Sequence, residues 1–99
     1  MEYQLRHFRI RAGNMDAFLD AWLRGVYPLR RKFGFTFAGA WVVEGADEFV
    51  WIIGYDGPEG FAAADKRYYE SVERKRISPD PAQYIEAPLN QMMRSVLPD

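Results

Sequence analysis

Phe35-Thr36-Phe37-Ala38-Gly39-Ala40-Trp41-Val42-Val43-Glu44 reads as one β-strand, and Glu48-Phe49-Val50-Trp51-Ile52-Ile53-Gly54-Tyr55 reads as the next. The Gly45-Ala46-Asp47 stretch between them makes the pair a hairpin. Strict alternation puts Phe35, Phe37, Trp41 and Val43 on one face of the first strand and Thr36, Ala38, Ala40 and Val42 on the other. In the second strand Phe49, Trp51, Ile53 and Tyr55 lie opposite Val50, Ile52 and Gly54. Both faces are apolar, so both need cover.

Upstream of the hairpin, Met15, Phe18, Leu19, Trp22, Val26, Leu29 and Phe33 recur at helical spacing. Asn14 stands where this helix would be capped, and Gly34 where it would end. Pro28 must kink or split it. Tyr3 to Arg11 alternates and reads as the first strand. Downstream, Gly57-Pro58-Glu59 opens a second helix with Pro58 at its first position. Its buried stripe is Phe61, Ala64, Tyr68 and Val72, and Ser78-Pro79-Asp80-Pro81 ends it. Leu89 to Leu97 supplies the last strand, with Pro88 and Asn90 weakening its start. This order predicts an α+β fold, a ferredoxin-like βαββαβ sandwich spanning residues 1–99 as a single domain. Two helices then cover one face of a four-stranded antiparallel sheet.

The helices carry Phe18, Trp22, Phe33, Phe61 and Tyr68. Dense interiors pair large side chains with small ones, so the helices are expected on the Ala/Val/Ile/Gly face of the hairpin. That leaves Phe35, Phe37, Trp41, Phe49, Trp51 and Tyr55 without a partner in the chain. A patch of this kind exceeds what a monomer exposes. A second copy across a two-fold axis covers it, giving a homodimer through the aromatic sheet face.

Composition narrows the function classes. The 99 residues are 48% hydrophobic and 16% aromatic, which excludes disorder. The absence of cysteine excludes disulfides, thiolate chemistry and cysteine-ligated metal sites. Thirteen Lys+Arg against fourteen Asp+Glu lack the positive footprint that nucleic-acid binding wants. No apolar run approaches the ~18 residues of a membrane span. Arg6, Arg9 and Arg11 interrupt any signal-peptide core. The expectation is a cytoplasmic protein with no nucleic-acid or membrane partner. No phosphate loop, dinucleotide fingerprint or serine nucleophile elbow occurs. Charge is uneven along the chain: residues 1–34 are mainly basic, whereas residues 35–65 hold acids and no Lys or Arg. That asymmetry can align neighbouring elements or subunits.

One ordered set of residues extends over most of the chain. It runs Tyr3-Gln4-Leu5-Arg6 with Phe8, Ala12-Gly13, Phe18-x-x-x-Trp22, Tyr27-Pro28-Leu29-Arg30, Phe33-Gly34-Phe35, Gly39-Ala40-Trp41 and Val50-Trp51. In this it resembles the NIPSNAP family, a branch of the dimeric α/β-barrel superfamily, most closely over residues 3–55. The resemblance implies a homodimeric barrel, with a pocket between sheet and helices or within the barrel. It implies no particular reaction. Related barrels include cofactor-independent monooxygenases, isomerases, haem-degrading enzymes and ligand-sensing domains, an analogy of fold alone. Gln4, Phe8 and Ala12 stand where the family often has Glu, Tyr and Pro. Two proton-transfer groups are therefore absent from the first strand.

The candidate site residues are Arg6, His7, Phe8, Trp51 and Tyr55. Arg6 and His7 are adjacent in a strand and face opposite ways, so only one can point inward. Arg6 shares its face with Phe8 and Ile10, and the resemblance favours it. Its guanidinium could fork onto a carboxylate or enolate oxygen, or it could pair with Glu44 or another carboxylate. His7 is the only histidine and suits proton shuttling; a haem ligand and a hydrogen-bonded structural residue are its other readings. Trp41, Trp51 and Tyr55 could stack on a flat hydrophobic molecule or form interface core, the latter above all for Trp41. Arg30-Arg31-Lys32 is accounted for by the helix dipole, and Glu70 and Arg74 by an i,i+4 pair. No metal site and no cofactor is expected.

Two function classes stay open. One is a homodimer that binds a small hydrophobic molecule in an aromatic-lined cavity, with cofactor-free monooxygenation or isomerisation as its chemistry. The other is a non-catalytic dimeric binding or scaffold module.

Overall fold

The computed structural model describes residues 1–98. Its elements are β1 (Glu2–Ile10), α1 (Met15–Ala21), a π-helical stretch (Trp22–Val26), α2 (Tyr27–Lys32), β2 (Thr36–Val43), β3 (Glu48–Tyr55), α3 (Phe61–Glu70), α4 (Val72–Lys75), a 3₁₀ turn (Pro81–Tyr84) and β4 (Ile85–Met93). The strands lie in the order β2-β3-β1-β4, all neighbours antiparallel, with the helices on one face. This is the ferredoxin-like α+β topology read from the sequence.

Pro28 splits the first helix as expected. The turn before it is wide, with the Tyr27 N–H donating to the Trp22 carbonyl five residues back. A function for this wide turn is visible in the burial. Phe18, Trp22, Val26 and Arg30 are all buried, at a strict spacing of four. In a regular α-helix each such step overshoots one turn by about 40°. A π turn holds more residues, so it absorbs the overshoot and keeps the series on one face.

The faces of the sheet are the reverse of the sequence expectation. Phe49, Trp51, Ile53 and Tyr55 are buried beneath the helices, together with Phe8 and Ile10. The rings do not pair large against small. They interlock edge to face, as Phe18 does on Phe49 at 5.0 Å between centroids and Trp22 on Trp51 at 5.2 Å. That geometry suits the ring quadrupoles and fills the layer. The large-on-small rule operates on the open face instead. There Tyr3 lies against Gly54, and the Trp41 indole occupies the space where a Cβ on Gly39 would sit. Trp41 reaches that face because β2 shifts register between Phe37 and Gly39. The irregularity inverts the alternation: Phe37 pairs Ile53 on the helix side, whereas Trp41 pairs Val50 on the open side. The aromatic face named as the dimer contact is thus covered by the chain's own helices. The open face is formed by Leu5, Val50, Ile52 and Trp41 with Tyr3 and Leu89.

Three boundaries also move. The segment before α3 is a turn, not a first helical turn at Pro58. Gly60 adopts φ +85°, and the Glu2 carboxylate of β1 accepts the Phe61 N–H at 2.7 Å. The second helix breaks at Ser71, whose hydroxyl caps α4 by accepting the Arg74 N–H, so Val72 is exposed. β4 begins four residues before the expected Leu89 and contains Pro88 and Asn90. Its edge position tolerates the proline, because one side of an edge strand has no ladder to break.

Candidate functional site

β1 presents Arg6 and Phe8 to the helices and His7 to the open face. Arg6 is 2% exposed. Its Nη2 pairs with Asp65 Oδ1 of α3 at 3.0 Å, Nη1 donates to the Tyr69 hydroxyl at 2.7 Å, and Nε donates to Gln4 Oε1 at 2.6 Å. So the carboxylate that pairs with Arg6 is Asp65, not Glu44. Asp65 Oδ1 also takes Nη1 of Arg30 at 2.7 Å.

Arg30 is fully buried. Its guanidinium carbon stands 3.8 Å from the centre of the Tyr68 ring and 4.6 Å from that of Phe35. Desolvation is the main force lowering its pKa, and the nearby charge of Arg6 adds to it; Tyr69 and Asp65 act against both. The helix dipole alone therefore does not account for Arg30. The signal that would have found it was present: it lies four residues after Val26 and three before Phe33, on the buried stripe. The acids of residues 35–65 do align neighbouring elements, Asp65 onto Arg6 and Arg30, and Glu48 onto His7.

Between β1, β3 and the helices lies a cavity of about 90 Å³. Arg6, Phe8 and Trp51 line it, with Phe18, Trp22 and Val26 from the split helix, Tyr68, Tyr69 and Arg74 from the second helical layer, and Pro81, Ala82 and Ile85 at one end. Several of its walls carry unused polar groups. The indole nitrogens of Trp22 and Trp51, the Tyr68 hydroxyl and Arg74 Nε are buried without a hydrogen-bond partner. Burial raises the Tyr68 phenol above its ordinary pKa, so it is a protonated O–H at neutral pH. Arg74 is turned in here instead of pairing with Glu70; its Nη2 holds Asp80 at 3.0 Å.

The structure brings Arg6, Phe8 and Trp51 together at this cavity and leaves His7 and Tyr55 elsewhere. His7 sits on the open face, with Nε2 2.5 Å from Glu48 Oε1. Tyr55 lies at the far end of β3, its hydroxyl donating to Glu59 and accepting from Arg67 Nη2 at 3.3 Å. Among the described residues no three His, Asp or Glu side chains converge as a metal site would require. No described helix is long and apolar enough to cross a membrane. A larger groove of about 430 Å³ runs outside, between Pro28–Lys32 and Ile77–Pro79. Its charged groups satisfy one another, Arg24 with Asp20 and Lys32 with Glu73.

A ferredoxin-like sheet roofed by helices, with an arginine-edged aromatic cavity beneath the roof, defines a class of small α+β proteins. The sequence model of the NIPSNAP family matches residues 3–97, and the chain belongs to that family. A comparison with curated proteins returns no significant match. Among solved structures, an uncharacterized NIPSNAP domain protein from Burkholderia xenovorans is 20% identical, covers all of both chains and superposes with a TM-score of 0.84. A NIPSNAP family protein from Agrobacterium tumefaciens is 18% identical over 93% of this chain and 82% of its own, with a TM-score of 0.82. An antibiotic biosynthesis monooxygenase shares the fold at a TM-score of 0.74, with 15% identity over 98% of this chain and 100% of its own.

Proposed function

We propose that the chain binds a small, largely hydrophobic molecule in the cavity between sheet and helices, and that it works as a homodimer. The observation that carries the first part is a cavity with aromatic walls and buried polar groups left unpaired at Trp22, Trp51 and Tyr68. An apolar pocket with a few convergent polar groups is the usual form of a ligand site. Arg6, Phe8 and Trp51 belong to it; His7 and Tyr55 do not. The open sheet face supports the second part. Trp41 is 52% exposed and Leu89 53% exposed, at either side of Leu5, Val50 and Ile52. A second copy would cover that face, with the sheets facing each other.

Cofactor-free oxygenation or isomerisation of an activated substrate is the chemistry such a cavity suits, and the likeness to a monooxygenase is one of fold. Arg6 would hold an oxygen of the substrate. The pairing of Arg6 with Asp65, Tyr69 and Gln4 favours the second reading, a dimeric binding or scaffold module without turnover. Native mass spectrometry of freshly purified protein at micromolar concentration tests the proposal. A dimer carrying extra mass is expected. A bare dimer favours the scaffold reading, and a bare monomer contradicts the assembly and its ligand together.

A further inference from the structure

Every one of the cavity's unused polar groups can donate, and only the Tyr68 hydroxyl can also accept. Trp22 Nε1, Trp51 Nε1 and Arg74 Nε are N–H donors that cannot accept, and the buried Tyr68 hydroxyl is a donor. Arg30 Nε, buried behind the Tyr68 ring, is another unpartnered donor. Among the described residues, none of the unpartnered buried side-chain atoms is a carbonyl or carboxylate oxygen. An occupant that satisfies this wall must bring acceptors.

Charge points the same way. Arg6 and Arg30 are buried, and both lean on one oxygen of one carboxylate, Asp65 Oδ1. Two guanidiniums against one carboxylate leave a buried positive charge of one unit. Arg74, with its Nη2 on Asp80, adds no negative charge to the wall. A buried charge without a counter-ion is expensive, so the site is built to receive one. Size and wall chemistry select among anions. At about 90 Å³ the cavity holds roughly three waters' worth of space, at ~30 Å³ each. Phe8, Phe18 and Val26 make the rest of the lining apolar. A planar carboxylate with a short apolar body fits both properties. A strongly hydrated phosphate dianion would fit the volume but not the apolar lining.

Resting on the reading that this cavity takes a small molecule, we infer that its occupant is a small organic carboxylate, its oxygens received by the unpaired donors of Tyr68, Trp51, Trp22 and Arg74 and its charge balanced by the Arg6–Arg30 pair. This places Tyr68 and Arg30 in the binding site, as a donor and as the charge behind it.

The test is a fluorescence titration in a Trp41→Phe background, where the remaining tryptophans, Trp22 and Trp51, both line the cavity. The probes are acetate, propionate and isobutyrate, each against its neutral amide. The expected result is at least tenfold tighter binding of an acid than of its amide, with the gap narrowed severalfold in Tyr68→Phe and in Arg30→Met. Tyr68→Phe breaks no hydrogen bond of the hydroxyl, so it remains informative if Arg30→Met does not fold. Amides that bind as tightly as the acids overturn the inference and leave the small-molecule site standing. Chloride that competes as well as the acids also overturns it. If no probe binds and no mass co-purifies, the inference and the binding reading fall together.

Discussion

On the helix side of the sheet, Arg6 and Arg30 are 2% and 0% exposed, and both depend on Asp65. On the open side, the neighbouring His7 keeps 39% of its side chain exposed and Glu48 keeps 28%. The same strand therefore carries a desolvated guanidinium and a partly solvated imidazole at successive residues. The difference teaches which charges the fold has committed to. A solvated pair can lose a partner to water at little cost, whereas a desolvated cluster cannot.

The largest effect should come from Asp65→Ala. It leaves two buried guanidiniums without a counter-charge and should cost about 3–5 kcal/mol in denaturant unfolding. A cost near that of a surface substitution would erase the contrast between the faces. Trp41→Glu should leave the protomer's fold nearly unchanged, because Trp41 is half exposed, yet weaken self-association at least tenfold, or about 1.4 kcal/mol, by sedimentation. Unaltered association would mean that the open face is not the contact. Glu48→Gln should cost at most about 1 kcal/mol, because both partners are partly exposed.

Tyr68 sharpens the contrast by pH. Its folded pKa is raised above 10.0, first by burial. A raised pKa gives stability that is complete below the unfolded value and is lost as pH climbs through the folded one. Stability should therefore fall above about pH 10, and the fall should be shallower in Tyr68→Phe. At neutral pH that substitution should change stability by only about 0.5 kcal/mol. Matching alkaline profiles would show that the phenol is not desolvated.

Much of this was legible in the sequence. Alternation alone paired Arg6 with Phe8 and set His7 apart, and the Pro28 break in the helix follows from its missing N–H. The identity of the covered face was not legible. It turns on a register shift at Ala38 that no residue pattern announces, and on rings that interlock edge to face instead of pairing large against small. Tyr68 read correctly as core, but its unpaired hydroxyl is a tertiary fact. Arg30 was hidden by chemistry: a basic residue in a last turn has a sufficient local explanation, although its spacing from Val26 marks it as buried.

The most direct measurement uses the three tryptophans as reporters, two on the cavity and one on the open face. The indole N–H signals would be followed by NMR during isobutyrate addition and then during dilution. Trp22 and Trp51 are expected to shift with isobutyrate while Trp41 stays, and Trp41 to shift on dilution while the other two stay. Trp41 responding to the carboxylate while the cavity pair remained still would contradict that expectation.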